Sequence, residues 1–284
     1  MSAATPDAAE RGIYLYCLAR PQCLALLAGA SAPRAVDLRF PVTALADAGA
    51  QQQLVAVISE VEIADFSEEN LQTLLWVGER AGLHELVVAG VMDSSPVLPV
   101  KFGTLFRSHA SLAQFMVCHR DAIEQGLDLL HDKAEWSVKA YVLDEELARA
   151  RFAEEDAGVA LRRSTLSDSP GARYLQQKQL DAMVEKALDA GVARTGAALQ
   201  QALQAQAAAS TTLRCHSSTI TGRAERLVFN ASFLLAPQAL PAFNQTLAEQ
   251  QALCEAIGLG LELRGPWPPY NFCPDLSGGT PAEP

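Results

Sequence analysis

No run of about 18 apolar residues occurs anywhere in the 284-residue chain, so no helix of bilayer length is encoded. Residues 1–10 are small, polar and acidic, without the basic start and apolar stretch of a secretory signal. Positive charge is also scarce: 22 Lys and Arg stand against 33 Asp and Glu, a formal net charge of -11. Phosphate-backbone partners ask for a basic footprint, and an anionic membrane surface repels an acidic chain, so neither nucleic acid nor membrane is an expected partner. Cysteine pairing signals are missing too. Cys17, Cys23, Cys118, Cys215, Cys254 and Cys273 are scattered with no CxxC, which reads as free thiols in a reducing cytosol rather than a disulfide framework. The expected location is therefore cytoplasmic.

Chemical motifs are equally sparse. His84, His109, His119, His131 and His216 form no HExxH, and the adjacent pairs Cys118-His119 and Cys215-His216 would point to opposite sides of a strand, so no metal site is expected. There is no GxSxG elbow, no GxGxxG and no GxxxxGK[ST]. Neither a catalytic set nor a cofactor is indicated.

What is present is material for a core. Apolar residues make up 49% of the chain and charged residues 19%, which suits one large domain or two ordinary ones. Strands are expected at 13–18, 35–42, 54–61 and 96–101, the last bordered by prolines and hence short or at an edge. Ser67, followed by Glu68 and Glu69, caps a helix expected over 67–92, whose small residues Gly78, Ala81, Gly82, Ala89 and Gly90 suggest close approach by a neighbour. A second helix is expected over 111–131. From residue 136 the order is strand 136–143, helix 144–163, a break at 167–171, helix 174–209, strands 212–218 and 227–235 joined by a turn at 221–223, helix 238–257 and strand 259–263. Leu180, Val184, Leu188, Val192, Leu199 and Leu203 stripe the long helix, whose Ala/Gln-rich end, 197–209, reads as a weakly amphipathic exposed arm. The whole is α+β with two domains: an N-terminal α+β domain over 1–133 and a C-terminal βαββαβ, ferredoxin-like domain over 134–265 with a long helical insertion. A Pro/aromatic segment and tail follow at 266–284.

Two clusters carry charge. Trp76, Arg80 and His84 share a helix face, with Glu85 beside them. They form either an acid–base group or a polar patch that docks the helix on its sheet. Lys101 and Arg107 flank Phe102 and a glycine loop, either an anion site or a loop tucked onto the core by its aromatics. A cleft joining His84, Glu85, Lys101 and Arg107 would make the protein a small-molecule binder or enzyme.

The densest feature is 263–272, Leu-Arg-Gly-Pro-Trp-Pro-Pro-Tyr-Asn-Phe. Three prolines within four residues stop a ladder, so the strand should end near 263 and the backbone become extended. Trp267, Tyr270 and Phe272 then need a dock, on a face of the molecule or its domain seam, with Trp267 largely buried; an exposed Trp267 would make the segment the leading partner site.

Four blocks together resemble the GvpF/GvpL family of gas vesicle proteins: Ile13-Tyr14-Leu15-Tyr16; residues 76–85 with Trp76, Arg80, His84 and Glu85; 96–106, which is similar to a PVLPLRFGT-V-F block; and 263–272, similar to a GPWPPYSF ending. Glu135-Trp136-Ser137-Val138-Lys139 is similar to the family's E-W-G-V-K strand. Lys101 stands where Arg is common, and Asn271 where Ser is usual. The resemblance implies a non-enzymatic accessory or minor structural protein that binds the hydrophobic shell protein GvpA and limits its aggregation during assembly, in the cytoplasm and at the vesicle. It also implies two α+β domains, the second ferredoxin-like. Structural or partner-contact residues are then sought among Trp76, Arg80, His84, Glu85, Lys101, Phe102, Arg107, Arg264, Trp267, Tyr270 and Phe272.

Overall fold

A computed structural model describes residues 10–29, 32–47, 53–165, 169–215 and 223–276. The expected break at 167–171 and the turn at 221–223 lie partly outside these residues, as does His216. The backbone packs as two compact units, one formed by residues up to Ala134 together with those from Trp267 onward, the other by Glu135–Pro266. Among the described residues no helix is long and apolar enough to cross a membrane. All six thiols are free.

The first unit is built on a sheet with strand order β2-β3-β1-β4, from β1 (Arg11–Ala19), β2 (Thr43–Ala46), β3 (Val55–Glu62) and β4 (Val97–Pro99). A two-residue strand, β5 (Leu105–Phe106), pairs with the start of β1. Leu15 opposes Ile58 and Cys17 opposes Val57, so Tyr16 is the extra residue of a β-bulge. The bulge resets the side-chain alternation. Tyr14 and the bulged Tyr16, and Cys17 and Ala19 after it, enter one core with Val87, Val88 and Val91. Those valines come from α3 (Leu74–Met92), which follows the short α1 (Leu24–Ala28) and α2 (Glu68–Gln72). Leu98 of β4 meets Gly126 of α5 (Arg120–Leu130), which follows α4 (His109–Cys118). Helices thus cover both faces of the sheet.

Several boundaries differ from expectation, each for a local reason. Residues 35–42 form no strand. Val36 and Val42 are buried, but Pro41 interrupts and Asp37 turns back to hold Arg39, so the apolar residues bury without a ladder. The helix expected over 67–92 breaks at Thr73, whose backbone is extended and whose hydroxyl donates to the Glu69 carbonyl. The helix expected over 111–131 breaks at His119, whose ring Nδ1 binds the Phe115 carbonyl at 2.9 Å. Gly78 and Gly82 meet no neighbour at all, and a Cβ on Gly90 would make only ordinary contact with Leu26, which corrects the expectation of close packing there.

The second unit has the strand order β7-β8-β6-β9, from β6 (Ala134–Val142), β7 (Ala209–Thr212), β8 (Arg226–Leu235) and β9 (Leu259–Trp267). That is the order a βαββαβ ferredoxin-like plan produces. Its helices are α6 (Glu145–Glu155), α7 (Ala157–Ser164), α8 (Pro170–Gln204) and α9 (Leu240–Glu255). Asp144 caps α6 and Asp156 caps α7, each accepting from the N–H three residues on. Alternate residues Val138, Ala140 and Val142 on β6, and Phe229, Ala231, Phe233 and Leu235 on β8, share a core with Phe152, Leu188, Val192, Leu199, Leu203 and Phe243. The end of α8 is therefore no exposed arm: Leu199 and Leu203 are its buried anchors, and Gln200 donates to Ser210 at 2.9 Å. At Gly191 the helices touch; a Cβ there would lie 2.2 Å from the Phe152 ring. The last strand runs four residues past the expected stop, through Pro266. It lies at the sheet edge, where a missing N–H leaves no ladder bond unmade.

Candidate functional site

Three of the sequence blocks meet in the core of the first unit. α3 turns Trp76, Arg80 and His84 to one side, one turn apart. Beneath them stand Tyr14 and Tyr16 of β1, Phe66 from the end of the β3 connection, and Phe102 from the loop after β4. The His84 ring lies 5.7 Å from Tyr14, stacks on Tyr16 at 5.6 Å and meets Phe102 edge-on at 6.1 Å. Trp76 closes the top, edge-on to Phe66 at 5.3 Å, with the Arg80 guanidinium over its ring at 4.1 Å.

Hydrogen bonds fix this arrangement. The Tyr14 hydroxyl accepts from the Gly103 N–H at 3.2 Å and lies 2.8 Å from His84 Nδ1. Its own proton needs an acceptor, which assigns a donation to Nδ1 and leaves the imidazole proton on Nε2. Gly103 presents that N–H from φ +82°, a conformation glycine adopts freely. The Tyr16 hydroxyl accepts from the Val36 N–H at 2.8 Å and bonds Ser59 Oγ at 2.9 Å. His84 is 3% exposed, and its Nε2 is buried without a hydrogen bond of ordinary geometry.

Burial pushes the His84 pKa down to about 4, with the nearby Val100 carbonyl working weakly the other way. Burial pushes Tyr16 up to about 12, opposed by its bonds from Ser59 and Val36. Tyr14 is raised further, again by burial. Both shifts favour the uncharged forms near pH 7, a neutral phenol beside a neutral imidazole. This is a positional network that locks α3 onto the sheet.

The other candidates disperse. Glu85 does not face His84; its Oε2 accepts from the Tyr270 hydroxyl at 2.9 Å. Burial and then the Glu85 charge raise the Tyr270 pKa. Phe102 is half-buried in the ring cluster, whereas Lys101 and Arg107 lie on the surface, so no cleft gathers His84, Glu85, Lys101 and Arg107. Arg264 is exposed and pairs with Glu262, which also holds Arg223 at 2.6 Å. Phe272 ends a 3-10 turn over Tyr270–Phe272, its N–H bonded to the Pro269 carbonyl at 3.1 Å.

The C-terminal segment docks through Tyr270 and through prolines rather than through Trp267. Pro268 and Pro269 are buried, Pro274 covers Gly126, and Cys273 Sγ reaches the Pro99 carbonyl at 3.6 Å. Trp267 is 45% exposed, which corrects the expectation that it is buried. Pro268 and Pro269 bury in its place. Sequence reasoning passed over the roles of Tyr14, Tyr16, Phe66 and Ser59. The available signal was the spacing of the tyrosines, two apart on a strand and therefore on one face.

Comparison with known proteins gives one consistent result. The model of the family described as "Gas vesicle synthesis protein GvpL/GvpF" matches residues 12–274. The chain is 27% identical over 223 residues to Gas vesicle protein L of Streptomyces sp. (strain CB03234), covering 77% of this chain and 79% of that protein. Its fold is similar to the crystal structure of GvpF from Anabaena sp. PCC7120, with TM-score 0.68, 15% identity and coverage of 93% and 98% of the two chains. GvpF from Microcystis aeruginosa gives TM-score 0.62 at 15% identity, with 93% and 99% covered.

Proposed function

The chain belongs to the gas vesicle synthesis protein GvpL/GvpF family, and from that premise we propose that it is a non-enzymatic accessory factor in the cytoplasm and at the growing vesicle. It binds the hydrophobic shell protein GvpA and limits its aggregation during nucleation and assembly, alongside other gas vesicle accessory proteins. The observation that carries this reading is the family match along nearly the whole chain. Physics supports it. A shell subunit that keeps water from a gas space must be apolar and aggregation-prone when free. A partner with net charge -11 covers such a surface and keeps the complex dispersed by repulsion. The exposed Trp267, on a segment anchored by Pro268, Pro269 and Tyr270, offers a rigid amphipathic contact of the kind that dominates interfaces.

Purified protein mixed with shell protein should form an isolable complex and slow the rise in light scattering from the shell protein alone. Deletion of the gene should reduce buoyant vesicles. If no complex forms, scattering rises unchanged and vesicles are normal without the gene, the reading is wrong.

A further inference from the structure

The face of α3 opposite the aromatic cluster is apolar and uncovered. Leu74 is 90% exposed, Leu75 74% and Leu86 64%, with Leu71 of α2 at 45% just before them. Between Leu75 and Leu86 lie Gly78 and Gly82, one turn apart on the same face, and nothing stands within 4 Å of where either Cβ would be. Glycine is a poor helix former in the middle of a 19-residue helix, and here the fold makes no use of the missing side chains. The pattern is a ridge of leucines interrupted by a shallow notch, the shape that lets a second helix bring its backbone close.

Charge chooses the occupant. The rim carries Glu68, Glu69, Glu79 and Asp93. Within 68–93 the one Lys or Arg is Arg80, held over the Trp76 ring, and Arg39, which lines the hollow beside Glu79, is paired with Asp37, Glu62 and Asp65. A second copy of this chain would bring like charge to an acidic rim. We infer that the notch at Gly78 and Gly82 receives a helix of the gas vesicle shell protein, apolar along one face and basic at its flank. This assignment rests on the function proposed above and names the surface that performs it.

The test measures shell-protein affinity and melting temperature together for the full-length chain and its variants. Gly82→Leu fills the notch at a solvent-facing helix position, so its melting temperature should hold or rise while affinity falls at least tenfold. Leu75→Asp should also weaken binding, and Glu79→Lys should weaken it by removing charge complementarity. Leu253→Asp, at an equally exposed leucine of α9, should leave it unchanged. If the wild-type chain does not bind shell protein, the proposed function itself fails. If the wild type binds and Gly82→Leu, folded by its melting curve, binds equally well, the function stands and this surface assignment is overturned. A wild-type dimer that Gly82→Leu dissociates would give the face to self-association and would also overturn it.

Discussion

At the scale of single residues, His84 is expected to make the first unit sensitive to acid. Its pKa is lowered from 6.5 to about 4 in the folded chain because burial disfavours the imidazolium. The folded form therefore resists protonation that the unfolded chain accepts. The contribution of His84 should be full above about pH 6.5 and fall as the pH drops toward 4, by up to about 3 kcal/mol at 1.36 kcal/mol per unit. Urea melts at pH 7.5 and pH 4.5 should show this loss, and His84→Gln should flatten it. Tyr14→Phe removes the hydroxyl shared by Gly103 and His84, leaving a buried N–H and Nδ1 without that partner. It should cost about 1–3 kcal/mol in the same melts. A loss under a few tenths of a kcal/mol would mean that the network does not hold α3.

At the scale of elements, α6 and α8 approach closely where Phe152 faces Gly191. Gly191→Ala places a methyl inside the Phe152 ring and should destabilise by about 1–3 kcal/mol. Phe152→Leu should relieve the clash, so the double variant should be more stable than the sum of the single losses, as a double-mutant cycle would read. Gly82→Ala on α3 has the opposite sign: with open space at its Cβ it should stabilise by about 0.5–1 kcal/mol. These two glycines look alike in the sequence and are told apart only by their neighbours. The same limit explains which elements were legible. Long periodic segments such as α8 and β8 announce themselves because one face is buried over many residues, from Leu180 to Leu203 in α8 and from Leu227 to Leu235 in β8. The breaks at Thr73 and His119 were hidden, because each depends on a side chain bonding a carbonyl one turn back. The tyrosine–histidine core was half visible: His84 stood out, but its partner 70 residues earlier becomes adjacent only when β1 pairs and α3 docks. Trp267 misled for a simple reason. An apolar ring beside three prolines must find cover somewhere, but nothing local says which of the four rings will find it.

At the scale of the whole molecule, chain order gives the first unit an unusual dependence. Residues up to Ala134 supply its sheet and helices, yet the segment from Trp267 onward belongs to it as well, after the entire second unit has been read out. That late segment covers Gly126 with Pro274, buries Pro268 and Pro269, and ties Tyr270 to Glu85 of α3. During synthesis the first unit should therefore complete its packing only after this last piece emerges. A chain truncated after Pro266 should keep its second unit, whose residues are all present, and lose stability selectively in the first. Hydrogen exchange should show faster exchange in β4, α3 and α5 while β6, β8 and α8 stay protected. A synthetic peptide of residues 267–276 added to the truncated chain should restore protection in the first unit. Equal loosening of both units, or no loosening at all, would show that the closing segment is an ornament rather than the final structural element of the first unit.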